Sequence, residues 1–223
     1  LDNRWKVLLI QKESALSANS HFYEAAYQAW KGVWGGVLKE VAGVPRLHAD
    51  AFTRQDEILT LFHGEEVAAL TLMTRVDLSK KYFREDSYFQ HWPELAVQGL
   101  TRDGLDVLVC SNFTTMPRFR RDCELPVKDL LVGLSCRRLL ASPCSVMTGN
   151  MRNTKGLNDL TYEWGALPIM RDVIVHGEKS DLVGFFRNSI KQASREELLK
   201  PLDKLWNERE IIDQSTTVVR RAA

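Results

Sequence analysis

Apolar positions along this chain follow two rhythms. Short, nearly continuous runs occur at 5–11 (WKVLLIQ), 57–62 (EILTLF), 67–76 (VAALTLMTRV), 105–113 (LDVLVCSNF), 144–148 (CSVMT) and 167–176. Such runs predict strands. Those at 57–62 and 67–76 are continuous rather than alternating, which predicts burial on both faces of the sheet. His63, Gly64, Glu65 and Glu66 lie between them, and a short polar link containing Gly predicts a hairpin. The second rhythm is helical. Within 14–42, Phe22, Ala25, Ala26, Ala29 and Trp30 recur at helical spacing. Gly32, Gly35 and Gly36 weaken that stretch and predict two helices with a break near Gly35. Gly43-Val44-Pro45 ends it. Residues 125–142 predict a helix with Val127, Leu130, Leu131 and Leu134 on one face and Pro126 in its first turn. Residues 153–164, stopped by Gly165, predict another. A charged amphipathic helix is predicted over 194–213, followed by ten frayed residues. Residues 77–104 predict one or two short helices covering the sheet.

In order, residues 56–165 give hairpin, strand, long helix, strand and helix. No repeat or composition break divides the chain, so 1–223 is read as one α/β domain. Its 223 residues, 44% hydrophobic and 26% charged, can bury a sizeable core. The 30 basic and 29 acidic side chains leave a net charge of +1, which gives no electrostatic argument for nucleic acid. Cys110, Cys123, Cys136 and Cys144 form no CxxC pair and have no His at ligand spacing. They read as reduced thiols of a cytoplasmic protein, with no metal site. No run approaches the ~20 apolar residues of a membrane span.

Walker, dinucleotide, GxSxG and HExxH motifs are absent. What remains is a strand, a basic turn at 114–124 and a helix. A helix N-terminus favours a phosphate group, and Arg118, Arg120 and Arg121 add charge there. The alternative for these arginines is a solvated turn.

This order resembles the GNAT acyltransferase superfamily. Its turn after the central strand reads P-x-[FY]-R-[GR]-x-G-[IV]-G, and Pro117, Phe119, Arg120 and Arg121 match the first half. Asn153 or Asn158, then Tyr162 and Gly165, follow the family's later residues over a resemblance spanning about 50–176. Asp122-Cys123-Glu124-Leu125 replaces the glycines that let backbone amides approach a pyrophosphate. The layout is similar to the branch that takes acyl chains from acyl carrier protein, the acyl-homoserine-lactone and N-acyl amino acid synthases. Tyr23, Tyr27, Trp30, Trp34, Asp50-Ala51-Phe52, Asp56 and Arg75 fall in that branch's order.

The resemblance implies a GNAT-like fold, a mixed and mostly antiparallel sheet flanked by helices. It implies an acyl thioester, on acyl carrier protein or coenzyme A, as co-substrate, with no tightly bound cofactor and a small amine or amino acid as acceptor. Cys110, Ser111, Asn112, Phe113 and Thr114, with Arg118, Arg120 and Arg121, would bind the donor. Tyr162 would be the general acid, with Asp56 and Glu57 as weaker base candidates. Asp50 and Arg75 would bind the acceptor. Trp30 and Trp34 read first as core or groove-covering residues, and the resemblance implies that they would also line an acyl tunnel. The alternative function is a non-catalytic module of the same fold that binds an acyl chain or a partner.

Overall fold

The computed structural model describes residues 4–12, 19–43, 47–102, 106–120, 124–213 and 220–221. The first strand, β1 (Trp5–Gln11), is followed by helix α1 (Ser20–Ala42) and the short α2 (Asp50–Thr53). The hairpin is β2 (Glu57–His63) and β3 (Glu66–Asp77). Then come α3 (Lys81–Arg84), a 3-10 turn (Ser87–His91), α4 (Glu94–Arg102) and β4 (Asp106–Thr115). The chain continues through a 3-10 turn (Pro117–Phe119), α5 (Val127–Leu140), β5 (Val146–Arg152), a further 3-10 turn (Asn153–Lys155) and α6 (Leu157–Glu163). It closes with β6 (Leu167–Val175), β7 (Glu178–Phe186), α7 (Glu196–Asn207), β8 (Glu210–Ile212) and β9 (Arg220–Arg221).

Among the described residues, nine strands join one sheet, in the order β6-β7-β5-β4-β3-β2-β1-β8-β9. Neighbours are antiparallel except β4 with β5 and β1 with β8. The two faces are covered differently. On one, Leu8, Ile10, Leu70 and Leu72 pack against Ala26, Ala29 and Trp30 of α1 and Phe52 of α2. Further along the same face, Val76, Val107, Val109 and Val146 meet Phe89, Trp92, Val97 and Leu100. On the other, Leu59, Leu61, Met73, Leu108 and Met147 pack beneath α5, α6 and α7. β2 and the first half of β3 are therefore buried on both sides, as their continuous apolar runs require.

Several expectations are corrected. The predicted break at Gly35 is absent, and α1 runs unbroken through Gly32, Gly35 and Gly36. Each glycine costs a helix up to ~1 kcal/mol, but the buried Trp30 side of α1 is anchored on the sheet, and packing rather than propensity decides. Gly43 ends the helix in the left-handed region at φ 63°. The predicted residues 14–18 and 44–45 lie outside the described residues, as does Leu105. The 77–104 stretch holds two short helices and a 3-10 turn. Strand β7 was not anticipated, although it lies inside the sheet and pairs with both β5 and β6. The C-terminal helix is shorter than 194–213. It stops at Asn207, and the β-branched Ile211 and Ile212 instead pair with Leu9 and Ile10 at the open edge of β1. Of the ten residues expected to fray, Arg220 and Arg221 pair with β8, and 214–219 and 222–223 lie outside the described residues.

Candidate active site

The site begins where β4 and β5 part. Val107, Leu108 and Val109 pair in parallel with Val146, Met147 and Thr148, and there the ladder stops. Both strands continue, to Thr115 and Arg152, without pairing to each other. Half of a strand's backbone groups point toward each neighbour, so this parting leaves those of β4 that face β5 without a partner on β5. The cause lies in a bulge. Thr114 faces Leu70 and Ser111 faces Leu72, so β4 spends one more residue than β3 over that interval. Asn112 absorbs it with φ 53°, in the region that Asn tolerates better than most residues.

Side chains from α1 fix the bulge from one side. Trp30 Nε1 donates to Asn112 Oδ1 at 3.0 Å, and Trp34 Nε1 donates to Thr114 Oγ1 at 2.9 Å. Thr114 Oγ1 in turn donates to the Asn112 carbonyl at 2.7 Å. The segment after α3 treats β5 in the same way. Tyr88 donates to Thr148 Oγ1 at 3.2 Å, and Trp92 Nε1 donates to Asn150 Oδ1 at 3.0 Å. Four aromatic side chains thus spend their polar atoms on β4 and β5, with the Trp30 and Trp92 rings buried in the core.

Cys110 is buried, 3.1 Å from Thr71 Oγ1, and burial pushes its thiol up to about 11. It is a poor nucleophile at neutral pH. Ser111 and Phe113 are half-buried on the bulge. Arg118 is exposed and paired with Glu66 at 2.6 Å, while Arg120 Nε donates to the Thr115 carbonyl at 2.9 Å. Arg121 lies outside the described residues. At the start of α5, Asp129 is buried and accepts from Trp164 Nε1 at 2.6 Å, Ser194 Oγ at 2.8 Å and Arg195 at 2.8 Å. That carboxylate sits in the first turn of α5 and is spent on these three partners rather than on the helix's own amides.

The remaining sequence-derived residues fall into three places. Tyr162, on α6, donates to Asp181 Oδ2 on β7 at 2.6 Å. Burial, then the carboxylate, pushes its phenol well above the ordinary tyrosine value. Burial alone would raise Asp181, but hydrogen bonds from Tyr162, the Asp172 amide, Asn153 and Asn158 outweigh it and hold this carboxyl below its usual range. Asp50 is exposed at the start of α2, on the α1 face of the sheet. Arg75 pairs with Asp106 at 2.5 Å. It alternates with Met73 onto the α5 face. Asp50 and Arg75 thus lie toward opposite faces of the sheet. Asp56 is exposed, and its Oδ2 accepts the Arg75 amide at 2.8 Å. Sequence reasoning did not single out Asp181, Thr148, Asn150, Tyr88 or Trp92. Among the described residues no cluster of His, Cys, Asp and Glu could hold a metal ion, and no helix is long and apolar enough to cross a membrane.

A long sheet with one parallel pair at its centre, parting beside a bulge, is a distinctive frame. No family model and no curated protein sequence matches the chain. Solved structures do. LasI, an AHL synthase, superposes with a TM-score of 0.60 at 11% identity, over 86% of this chain and 95% of its own. The fold is GNAT-like. FeeM, an N-acyl amino acid synthase from uncultured soil microbes, matches at TM-score 0.54 and 10% identity, over 83% of this chain and 92% of its own. BjaI, a CoA-dependent acyl-homoserine lactone synthase, matches at TM-score 0.54 and 13% identity, over 90% and 89%. An agmatine N-acetyltransferase and a Drosophila melanogaster polyamine N-acetyltransferase superpose on the GNAT-like frame as well. At such identities the likeness is one of fold, and it agrees with the order read from residues 50–176.

Proposed function

We propose that the protein is an N-acyltransferase that moves an acyl chain from a thioester to the amine of a small acceptor such as an amino acid. The observation that carries this is the parting of β4 from β5 at a bulged, hydrogen-bond-fixed strand. A thioester laid there meets strand amides without a partner on β5, which can polarise its carbonyl and hold the developing oxyanion. Trp30 and Trp34 on one side, with Tyr88 and Trp92 on the other, suit an acyl chain, because their polar atoms are already satisfied. Positioning then supplies much of the rate. Tyr162 would handle the proton, and Asp50, exposed at the start of α2, would meet the acceptor.

The donor in this reading is carried by acyl carrier protein, with coenzyme A as the alternative. No glycine lies between 116 and 132 to admit a pyrophosphate, and the first turn of α5 already holds the Asp129 carboxylate. Arg118, Arg120 and Lys128 offer an acidic carrier a basic rim. The chain acts in the cytoplasm, where such donors are made. A non-catalytic acyl-binding module is the second reading, favoured by the engagement of the Tyr162 proton with Asp181.

The test is incubation with acyl carrier protein thioesters and acyl-CoA of several chain lengths, each with a panel of amino acids and amines, followed by mass spectrometry. We expect an N-acyl product, formed faster from the carrier-bound donor. Saturable donor binding without product would favour the binding module, and neither binding nor product would reject both.

A further inference from the structure

Asp181 is 2% exposed on β7, and among the described residues no basic side chain forms an ion pair with it. Its oxygens are filled by four donors instead. Oδ2 accepts from Tyr162 at 2.6 Å and from Asn158 Nδ2 at 3.1 Å. Oδ1 accepts from Asn153 Nδ2 at 3.1 Å and from the Asp172 amide at 2.9 Å. That amide is aimed inward because Asp172 adopts φ 56° in a bulge of β6. The carboxylate therefore ties α6, β6, β7 and the turn after β5 to one point. Arg171 lies over the Tyr162 ring, 5.1 Å from its centroid, and fixes the ring from its face.

An ionised carboxylate only accepts, so its partner's proton has one direction to go. We propose that Asp181 is a positioning residue that makes Tyr162 a hydrogen-bond acceptor toward the substrates. The Tyr162 proton is committed to Asp181, and its lone pairs are left to receive an N–H of the attacking amine. This rests on the N-acyltransferase reading and changes the role expected of Tyr162, from donor to the leaving sulfur into holder of the nucleophile. In the reaction the amine nitrogen forms the C–N bond, and the C–S bond breaks with its electron pair on sulfur. The proton lost by nitrogen ends on the thiol, so amine and thioester give amide and thiol with no net proton.

Asp181→Asn keeps size but offers an amide N–H that can donate to Tyr162 and consume the lone pair. We expect kcat to fall about 10²-fold, the lower range for a positioned proton-handling group, with the donor KM unchanged within about two-fold. Tyr162→Phe should lose a similar factor. Orientation is read independently in the wild-type protein by NMR. The Tyr162 hydroxyl proton, identified by its disappearance in Tyr162→Phe, should exchange slowly because the carboxylate holds it. An Asp181→Asn enzyme with wild-type kcat, or a loss confined to KM, overturns the proposal, as does a freely exchanging Tyr162 hydroxyl. Wild-type protein that forms no amide from any donor rejects the functional reading instead, and the proton signal still decides how Tyr162 is held.

Discussion

Single residues at the bulge carry more than their size suggests. Asn112 does two things at once. It takes a backbone conformation that costs most L-residues roughly 1–2 kcal/mol, and it accepts the indole proton of the buried Trp30. Asn112→Ala strands that donor, so we predict a loss of about 1–3 kcal/mol in urea unfolding and weaker donor binding. An unchanged unfolding midpoint would mean that the bulge does not depend on this contact. A glycine sets a similar limit. Gly165 has φ 92°, and an added Cβ would lie 2.0 Å from the Ser189 carbonyl oxygen. Gly165→Ala should therefore destabilise by at least the roughly 1–3 kcal/mol typical of backbone strain. Gly165 was legible as a helix stop from its place after Trp164. Asp181 was not, because a lone aspartate in Lys179-Ser180-Asp181 carries no sign that four distant donors converge on it.

At the scale of elements, the legible parts are those whose signal is local. β1 was read at its true bounds, and the β2–β3 hairpin within a residue or so, because apolar continuity and the His63-Gly64 link lie within the segments themselves. The same His-Gly pair recurs at His176-Gly177, with φ 50° and 82°, between β6 and β7. It was the available signal for the unanticipated strand, whose Leu182, Val183, Gly184, Phe185 and Phe186 follow it. The break forecast in α1 failed for the opposite reason. Local propensity was read correctly, but Ala26, Ala29 and Trp30 are held by strands far away in sequence. Because a Cβ at Gly36 would meet nothing within 4 Å, Gly36→Ala should raise stability by about 0.5–1 kcal/mol in thermal or denaturant unfolding. A decrease would mean that the helix needs flexibility there.

For the whole molecule, the sheet order explains why the site lies where it does and how the protein should respond to acid. Asp181 and Glu178 have folded-state pKa values below their ordinary ones. Asp181 is lowered by its four donors against its burial, and Glu178 chiefly by the hydrogen bond from Arg152. A depressed carboxyl contributes stability above its unfolded pKa and loses it as pH falls through the folded one. Unfolding midpoints should therefore drop as pH falls below the ordinary carboxylate range of about 4. Asp181→Asn should flatten part of that fall. A fall of equal steepness in the variant would assign it to other groups. The fold class was legible from the order of runs, whereas the donor segment 110–114 came only from the family resemblance, and the register that parts β4 from β5 is displayed only by the assembled sheet.

The central claim is that an acyl donor lies in that parting. Hydrogen–deuterium exchange with and without a non-hydrolysable thioether analogue of acyl carrier protein tests it most directly. Protection confined to 110–115 of β4 and 149–152 of β5, with the carrier's footprint on the Arg118–Lys128 rim, is the predicted result. Unchanged exchange in both strands, or protection elsewhere on the sheet alone, would contradict it.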